Sequence, residues 1–187
     1  MAKIRTFVAV SISEKAREVV AEMVASMQDF GSGVRWVKPE NLHLTLKFLG
    51  DVEEKKLPEL EEALKLSAEN INPFNYELVN IGCFPNYKRP RVLWVGVEDS
   101  EDQLLLLHQN IESEFTKQDF PKESRKFTPH LTIARVKDFR KCESVISKFS
   151  DYNFGSHKNV VEEVLLMKSD LYPSGAKYTK LIQIKLN

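Results

Sequence analysis

The 187-residue sequence is poor in cysteine: it contains two, Cys83 and Cys142, which lie far apart and form no Cys-x-x-Cys pattern. This scarcity excludes a disulfide framework and a zinc site built on thiolates, and it favours free thiols in a reducing compartment. We expect Cys142, on the apolar side of a predicted helix, to be buried as a small hydrophobe. We do not expect Cys83 to be a nucleophile.

Long hydrophobic runs and an excess charge of one sign are also missing. The longest aliphatic run is residues 104–107, far short of the ~20 apolar residues of a membrane span. The N-terminal apolar run is shorter than the about 7–15 residues of a secretory signal, so we expect a cytoplasmic protein without a membrane partner. With 27 basic and 27 acidic residues, a non-specific coat of nucleic acid is excluded, whereas a small local anion site is not.

What the sequence does contain is the profile of a globular chain, with 42% hydrophobic residues and no low-complexity linker. Its length predicts one domain over residues 1–187, or two small interlocked lobes. Apolar residues at helical spacing predict helices, with Ser13 as the N-cap of the first. They are residues 14–29, 53–69, 100–117 and 139–150.

Runs rich in β-branched and aromatic residues predict strands. They are residues 6–11, 34–37, 43–49, 74–81, 91–97, 130–136, 160–168 and 178–186. Strands outnumber helices about two to one, which favours an α+β fold over a doubly wound parallel sheet.

One pattern occurs twice. His43-Leu44-Thr45-Leu46 and His130-Leu131-Thr132-Ile133 share the sequence His-Leu-Thr-aliphatic, nearly half the chain apart. With four histidines and six threonines in the chain, random placement gives only about 0.13 His-x-Thr triplets. The repetition therefore indicates an internal duplication.

Strand geometry gives this spacing a meaning. Residues i and i+2 of a strand point to the same face, so each histidine shares a face with its threonine, while the leucines point to the opposite face. If a pseudo-two-fold axis relates the two halves, His43, Thr45, His130 and Thr132 meet across a cleft. Two imidazoles then supply a general acid and a general base, and two hydroxyls can hold the oxygens of an anion.

This set of groups favours phosphodiester cleavage without a metal or another cofactor. A metal site is the rival interpretation, but neither motif contains a carboxylate or a cysteine, and threonine is a poor zinc ligand. His108 and His157 have no threonine two residues later, so we expect them to be structural or exposed.

On these motifs the sequence resembles the 2H phosphoesterases, and within them the RNA 2′,3′-cyclic phosphodiesterases, also known as 2′-5′ RNA ligases. The resemblance extends over the whole chain. It is carried by the runs 5–10, 35–50, 91–96 and 127–135, which include both tetrapeptides.

The resemblance implies a bilobal fold of two similar halves, each an antiparallel sheet with helices on its outer face, and an active site in the central cleft. It implies hydrolysis of RNA 2′,3′-cyclic phosphate ends to 2′-phosphomonoesters, with His43 as proton donor and His130 as proton acceptor. The expected partner is therefore an RNA end, for which tRNA fragments are one candidate source. No obligate protein partner is needed, and a monomer is expected.

Further candidates flank the motifs. The resemblance suggests that Arg135 contacts the substrate, but a regular strand would point it away from His130, so it needs a bulge to reach the cleft. Lys47 follows the first motif at nearly the equivalent place. In the basic stretch 83–91, Phe84 or Tyr87 could stack a base and Arg91 could bind phosphate, although the stretch could equally be an ordinary hairpin connection. Trp36 and Trp94 are expected in the core.

Two alternative functions remain open at this stage. One is the reverse reaction, the joining of a 2′,3′-cyclic phosphate end to a 5′-hydroxyl, which the same two histidines could catalyse. The other is a non-catalytic module that binds RNA ends.

Overall fold

The computed structural model describes residues 3–173 and 175–187, and in this part of the chain it contains four α-helices and nine strands. The helices are α1 (Glu14–Ala25), α2 (Leu57–Ala68), α3 (Gln103–Thr116) and α4 (Glu143–Ser150). The strands are β1 (Lys3–Ser11), β2 (Val34–Trp36), β3 (His43–Glu53), β4 (Phe74–Phe84), β5 (Val92–Glu98), β6 (His130–Val136), β7 (Ser156–Val161), β8 (Glu163–Tyr172) and β9 (Gly175–Lys185).

The four predicted helices are confirmed, with shifted ends. Ser13 caps α1 as expected, since its hydroxyl accepts a hydrogen bond from the Ala16 amide at 3.1 Å. The second helix begins at Leu57 rather than at residue 53, because β3 continues to Glu53 and a short 3-10 turn follows it. Such ends are set by contacts outside the helix, which apolar spacing does not reveal.

The prediction of one strand over residues 160–168 is wrong. The chain breaks at Glu162 and forms two strands, β7 and β8, which pair with different partners, β4 and β1. The Glu162 carbonyl accepts a hydrogen bond from the Leu186 amide at 2.9 Å. Apolar residues flank the break on both sides, with Glu162 and Glu163 between them.

All nine strands belong to one antiparallel sheet in the order β7-β4-β5-β6-β3-β1-β8-β9, with β2 paired to β6. β3 and β6 meet at its centre through one register pair, Leu44 with Leu131. We call β1, β3, β8 and β9 the first lobe, and β2, β4, β5, β6 and β7 the second lobe. The predicted α+β class and bilobal, antiparallel architecture are therefore confirmed.

The helices and the core lie on one face of this sheet. In the first lobe α2 contacts β8 and β9, and α3 contacts β3. In the second lobe α4 contacts β4, and Ser13 at the start of α1 donates to the Asn159 side chain of β7 at 2.8 Å. Leu44 and Leu131 are buried in the core cluster, so the opposite face, which we call the cleft face, carries the intervening histidines and threonines.

Both cysteines are buried free thiols, and burial raises the pKa of each. Neither is therefore poised as a thiolate nucleophile, in agreement with the expectation for Cys83. Over the described ranges, none of the helices is both long and apolar enough to cross a membrane.

Candidate active site

The central strand pair brings the two His-x-Thr motifs together. Because β3 and β6 run antiparallel with Leu44 opposite Leu131, the register puts His43 across from Thr132, and Thr45 across from His130. The four predicted catalytic residues thus surround one point on the cleft face. The two lobes are related there by an approximate two-fold axis.

Each imidazole is held by a hydrogen bond to the backbone carbonyl two residues before it. His43 Nδ1 lies 2.7 Å from the Asn41 carbonyl, and His130 Nδ1 lies 2.7 Å from the Thr128 carbonyl. A carbonyl only accepts, so each Nδ1 carries a proton, which leaves Nε2 as the nitrogen that can exchange a proton with substrate. His43 Nε2 lies 3.1 Å from the Thr45 hydroxyl.

The two histidines differ in their surroundings. The His43 ring packs against Phe7 and Tyr178, with ring centroids 4.8 and 5.1 Å away. This burial lowers the pKa of His43 to about 4, the Asn41 hydrogen bond partly opposes the shift, and the charge of Arg17 adds to it. His43 is therefore neutral at pH 7 in the free site.

Arg17 of α1 also fixes the turn that precedes the first motif. Its Nη1 donates to the carbonyls of Pro39 and Leu42, at 2.5 and 3.2 Å. These carbonyls bracket Asn41, which holds Nδ1 of His43. A helix whose N-cap contacts the second lobe thus orients a predicted catalytic residue of the first.

His130 is bordered by a different aromatic pair. The Phe84 ring lies 5.0 Å from the imidazole in an edge-to-face arrangement, and Trp94 lies 5.3 Å from Phe84. Trp94 is the register partner of Thr132 and therefore points to the cleft face. The expectation of a core position is met by Trp36, which packs against the core, and is wrong for Trp94.

A bulge in β6 turns Arg135 towards the cleft. Trp94 pairs with Thr132 and Leu93 pairs with Ala134, so Ile133 has no partner in the ladder. Ile133 and Ala134 are consequently both buried, and alternation resumes with Arg135 exposed. The bulge that Arg135 needs to reach the cleft is therefore present.

The equivalent bulge in β3 corrects the expectation for Lys47. Leu46 has no partner in the ladder with β1, so Leu46 and Lys47 are both buried and Phe48 is 66% exposed. Phe48 is the register partner of Phe7, whose ring contacts His43, so it lies on the cleft face. Phe48, not Lys47, therefore occupies the place that corresponds to Arg135.

Lys47 points inward to a buried ion pair. Its Nζ lies 2.8 Å from Glu112 Oε1 and 2.9 Å from the Pro121 carbonyl, and Glu112 Oε2 accepts from the Glu123 amide at 3.0 Å. Beside it, His108 stacks on Phe127 with centroids 3.9 Å apart. His108 Nδ1 lies 3.0 Å from the carbonyl of Leu46, the residue at the bulge. His108 is structural, as predicted, and these contacts anchor the segment that leads to His130.

Breaking the Lys47–Glu112 pair should destabilise the folded protein. Both side chains are almost fully buried, so Lys47→Met leaves a charged carboxylate without its partner and should lower the free energy of unfolding by about 3–5 kcal/mol. Urea unfolding followed by circular dichroism measures the change.

The matched control is Lys65→Met, which breaks the exposed pair of Lys65 with Glu61 and should cost less than about 1 kcal/mol. Equal effects of the two substitutions would contradict a structural role of the buried pair.

The basic stretch 83–91 comprises the end of β4 and the connection from it to β5. Phe84 reaches His130, as described, and Tyr87 is 40% exposed. Arg91 is exposed immediately before Val92, the register partner of Arg135. Of the predicted substrate contacts, Phe84 and Arg135 lie on the cleft face, whereas Arg91 lies just outside β5 and its contact stays a prediction.

Several residues of the site were missed by reasoning from the sequence. Phe7 and Tyr178 were assigned only to strands, and nothing local marks them as neighbours of His43. Asn41 could have been found, because it precedes His43 by two residues as Thr128 precedes His130. Within residues 3–173 and 175–187, no three or more His, Cys, Asp or Glu side chains cluster as a metal site would require.

Comparison with known proteins finds relatives along the whole chain. A family model described as LigT-like phosphoesterase matches the chain twice, over residues 10–94 and 95–178. The RNA 2′,3′-cyclic phosphodiesterase of Methanothermobacter thermautotrophicus is 37% identical over 187 residues, which cover 98% of this chain and 100% of the relative. The RNA 2′,3′-cyclic phosphodiesterase of Thermotoga maritima is 34% identical over 180 residues, covering 96% of this chain and 94% of the relative.

Solved structures show the same architecture. A crystal structure of a Thermus thermophilus protein superposes with a TM-score of 0.81 at 28% identity and covers 98% of both chains. Escherichia coli LigT in complex with 3′-AMP superposes with a TM-score of 0.72 at 27% identity and covers 99% of both chains.

Proposed function

Because the chain belongs to the LigT-like phosphoesterase family, a family of enzymes, we propose that it hydrolyses 2′,3′-cyclic phosphate ends of RNA to 2′-phosphomonoesters. The observation that carries the proposal is the pairing of Leu44 with Leu131, which gathers two His-x-Thr motifs around one point. The names of the relatives, RNA 2′,3′-cyclic phosphodiesterases, support the same substrate class.

The two histidines divide the proton transfers in this proposal. Nε2 of His130 takes a proton from water as the water oxygen bonds to phosphorus, and Nε2 of His43 donates a proton to O3′ as the P–O3′ bond breaks. Thr45 and Thr132 donate hydrogen bonds to the two non-bridging oxygens, whose charge increases in the transition state. The Nδ1 hydrogen bonds of both rings support these roles, since they aim the opposite nitrogen at the substrate.

The two motifs are nearly equivalent, so they do not by themselves determine how the ribose is oriented in the cleft. An asymmetry between the lobes must determine it. Phe48 in the first lobe and Arg135 in the second occupy equivalent positions on strands that run in opposite directions, so they lie at opposite ends of the cleft. An exposed aromatic ring suits a nucleobase, and a guanidinium suits a phosphate. We assign Phe48 to the base and Arg135 to the phosphate side of the nucleotide, which fixes one orientation.

Phosphorus NMR of an oligonucleotide with a 2′,3′-cyclic phosphate end, incubated with the protein in excess EDTA, tests the proposal. The expected product is the 2′-phosphomonoester. The rate should equal that without EDTA, because the acid and the base are both side chains. Authentic 2′- and 3′-phosphate standards identify the isomer by chromatography.

Each other outcome has a distinct meaning. A 3′-phosphate would show that the roles of the histidines, or the orientation of the ribose, are reversed. Joined product in the presence of a 5′-hydroxyl RNA would identify a ligase, and an unchanged but bound substrate would identify a binding module. Loss of activity in EDTA that a divalent ion restores would overturn the metal-free mechanism.

A further inference from the structure

A pair of arginines lies beside the catalytic residues. Arg35 of β2 is the direct register partner of Arg135 of β6, so the two side chains leave adjacent strands on the same face. This is the cleft face, because Arg135 is also in register with Val92, and Val92 with Phe84, whose ring contacts His130. Both arginines are exposed.

Like charges directly opposite each other destabilise a strand pair, so this arrangement favours an anion between them. Among the described residues, no carboxylate lies within salt-bridge distance of either guanidinium. Arg35 Nη2 donates instead to the Pro173 carbonyl at 3.1 Å. That bond ties one nitrogen of Arg35 to the connection between β8 and β9 and leaves its other donors for a ligand.

The pair stands at a definite distance from the reaction centre. Arg135 lies three positions after Thr132, but the bulge at Ile133 removes one step from the ladder, so about 7 Å of strand lie between them. Arg135 also lies near Tyr178, which packs against His43. Its charge opposes the rise in the pKa of Tyr178 that burial causes. An anion held by the pair is thus a neighbour of the central phosphate, not the same group.

We infer that Arg35 and Arg135 form a second phosphate subsite, which binds the phosphate on the 5′ side of the terminal nucleotide. The inference rests on the proposed function and narrows its substrate class to chain ends that carry an internucleotide phosphate. Cyclic mononucleotides, which have no such phosphate, are then the poorer substrates. Bidentate guanidinium forks suit this group, and the second lobe supplies both of them.

Kinetics on two substrates test the inference. We expect Arg35→Gln to lower kcat/KM for a dinucleotide with a 2′,3′-cyclic phosphate end by roughly 10- to 100-fold, the contribution of a charge-assisted hydrogen bond. The value for a 2′,3′-cyclic mononucleotide should change less than about 3-fold, because the lost contact lies outside that substrate. For a longer single-stranded substrate, the dependence of log kcat/KM on log salt should become shallower by about 0.7.

Lys15→Gln is the matched control, since it removes one exposed positive charge from α1 outside the cleft. It should alter neither substrate preference nor salt dependence. Arg35→Lys, which keeps the charge but loses the fork, should give an intermediate preference. An equal loss on both substrates in Arg35→Gln would overturn the second subsite while leaving the proposed function intact.

Binding measurements keep the test independent of turnover. By calorimetry, a nucleoside 2′,5′-bisphosphate should bind the unaltered protein roughly 10-fold or more tightly than the nucleoside 2′-monophosphate. In Arg35→Gln the two affinities should become similar. If the additional phosphate brings no affinity to the unaltered protein, the subsite does not exist, whether or not the protein turns over a cyclic phosphate.

Discussion

Each of the substitutions His43→Ala and His130→Ala should lower kcat for a 2′,3′-cyclic phosphate end by roughly 10²–10⁴-fold, which is the usual contribution of one acid or base. His130→Ala removes the group that activates water. His43→Ala leaves O3′ to depart without a proton. The double variant should lose far less than the product of the two single effects, because a base without its acid completes little of the reaction.

The control for these variants is His157→Ala. His157 belongs to β7, at the edge of the sheet, and its Nε2 lies 2.9 Å from the Phe154 carbonyl. Its replacement should leave kcat within about 2-fold, as expected of a residue that does not touch the reacting atoms. Circular dichroism must show that all the variants are folded. Full activity in His43→Ala or in His130→Ala would remove that residue from the mechanism.

The second large effect concerns pH. In the proposed mechanism one imidazole is protonated and the other is the base, so no base remains when both are protonated. His43 becomes protonated below pH about 4. We therefore expect kcat/KM, which reports the free enzyme, to fall about tenfold per pH unit below that value. At neutral pH His43 is neutral in the free enzyme. It can act as the donor only after Nε2 takes up a proton, which the negative charge of the bound substrate favours.

A direct titration assigns this pKa to its residue. The Cε1–H resonance of His43 should shift with a midpoint near pH 4. Tyr178→Ala should move the midpoint upwards towards the ordinary value of 6.5, because it admits water to the buried ring. Tyr172→Ala is the control, since Tyr172 is an exposed tyrosine of the same hairpin. A midpoint near 6.5 in the unaltered protein would refute burial as the cause.

The pH profile alone does not identify the donor. Two interacting histidines lose their protons in steps that belong to the pair, so the curve is the same whichever ring carries the proton in the reactive form. The product isomer, together with the orientation of the ribose, supplies the missing information. The regiochemical experiment therefore tests the donor role of His43, and the titration tests its pKa.

Much of this site could be predicted because its main determinant is local. The i, i+2 alternation of a strand is enough to put His43 beside Thr45 and His130 beside Thr132, and the repetition indicates that the pairs meet. Bulges are a different matter, because an extra residue in a strand is set by its partners in the ladder. Sequence reasoning could therefore only state that Arg135 needs a bulge, and it placed Lys47 where Phe48 stands.

The aromatic wall around His43 was beyond prediction for a related reason. Phe7 and Tyr178 come from opposite ends of the chain and reach the imidazole only because β1 and β9 join β3 in the same lobe of the sheet. Their effect on the pKa of His43 is accordingly a property of the folded sheet. The break at Glu162 was missed because hydrophobic residues continue on both sides of it, although the two strands pair with different neighbours.

The strand order also has an evolutionary consequence. Of the two matched repeats, the first supplies β3 to one lobe and β4 to the other, and the second supplies β8 to one lobe and β6 and β7 to the other. Neither repeat can therefore complete a lobe alone. If the two halves arose by duplication, a single copy would need strands from a second copy to complete a lobe. The His-x-Thr motifs of two such copies would be identical, whereas one continuous chain allows the equivalent positions of Phe48 and Arg135 to differ.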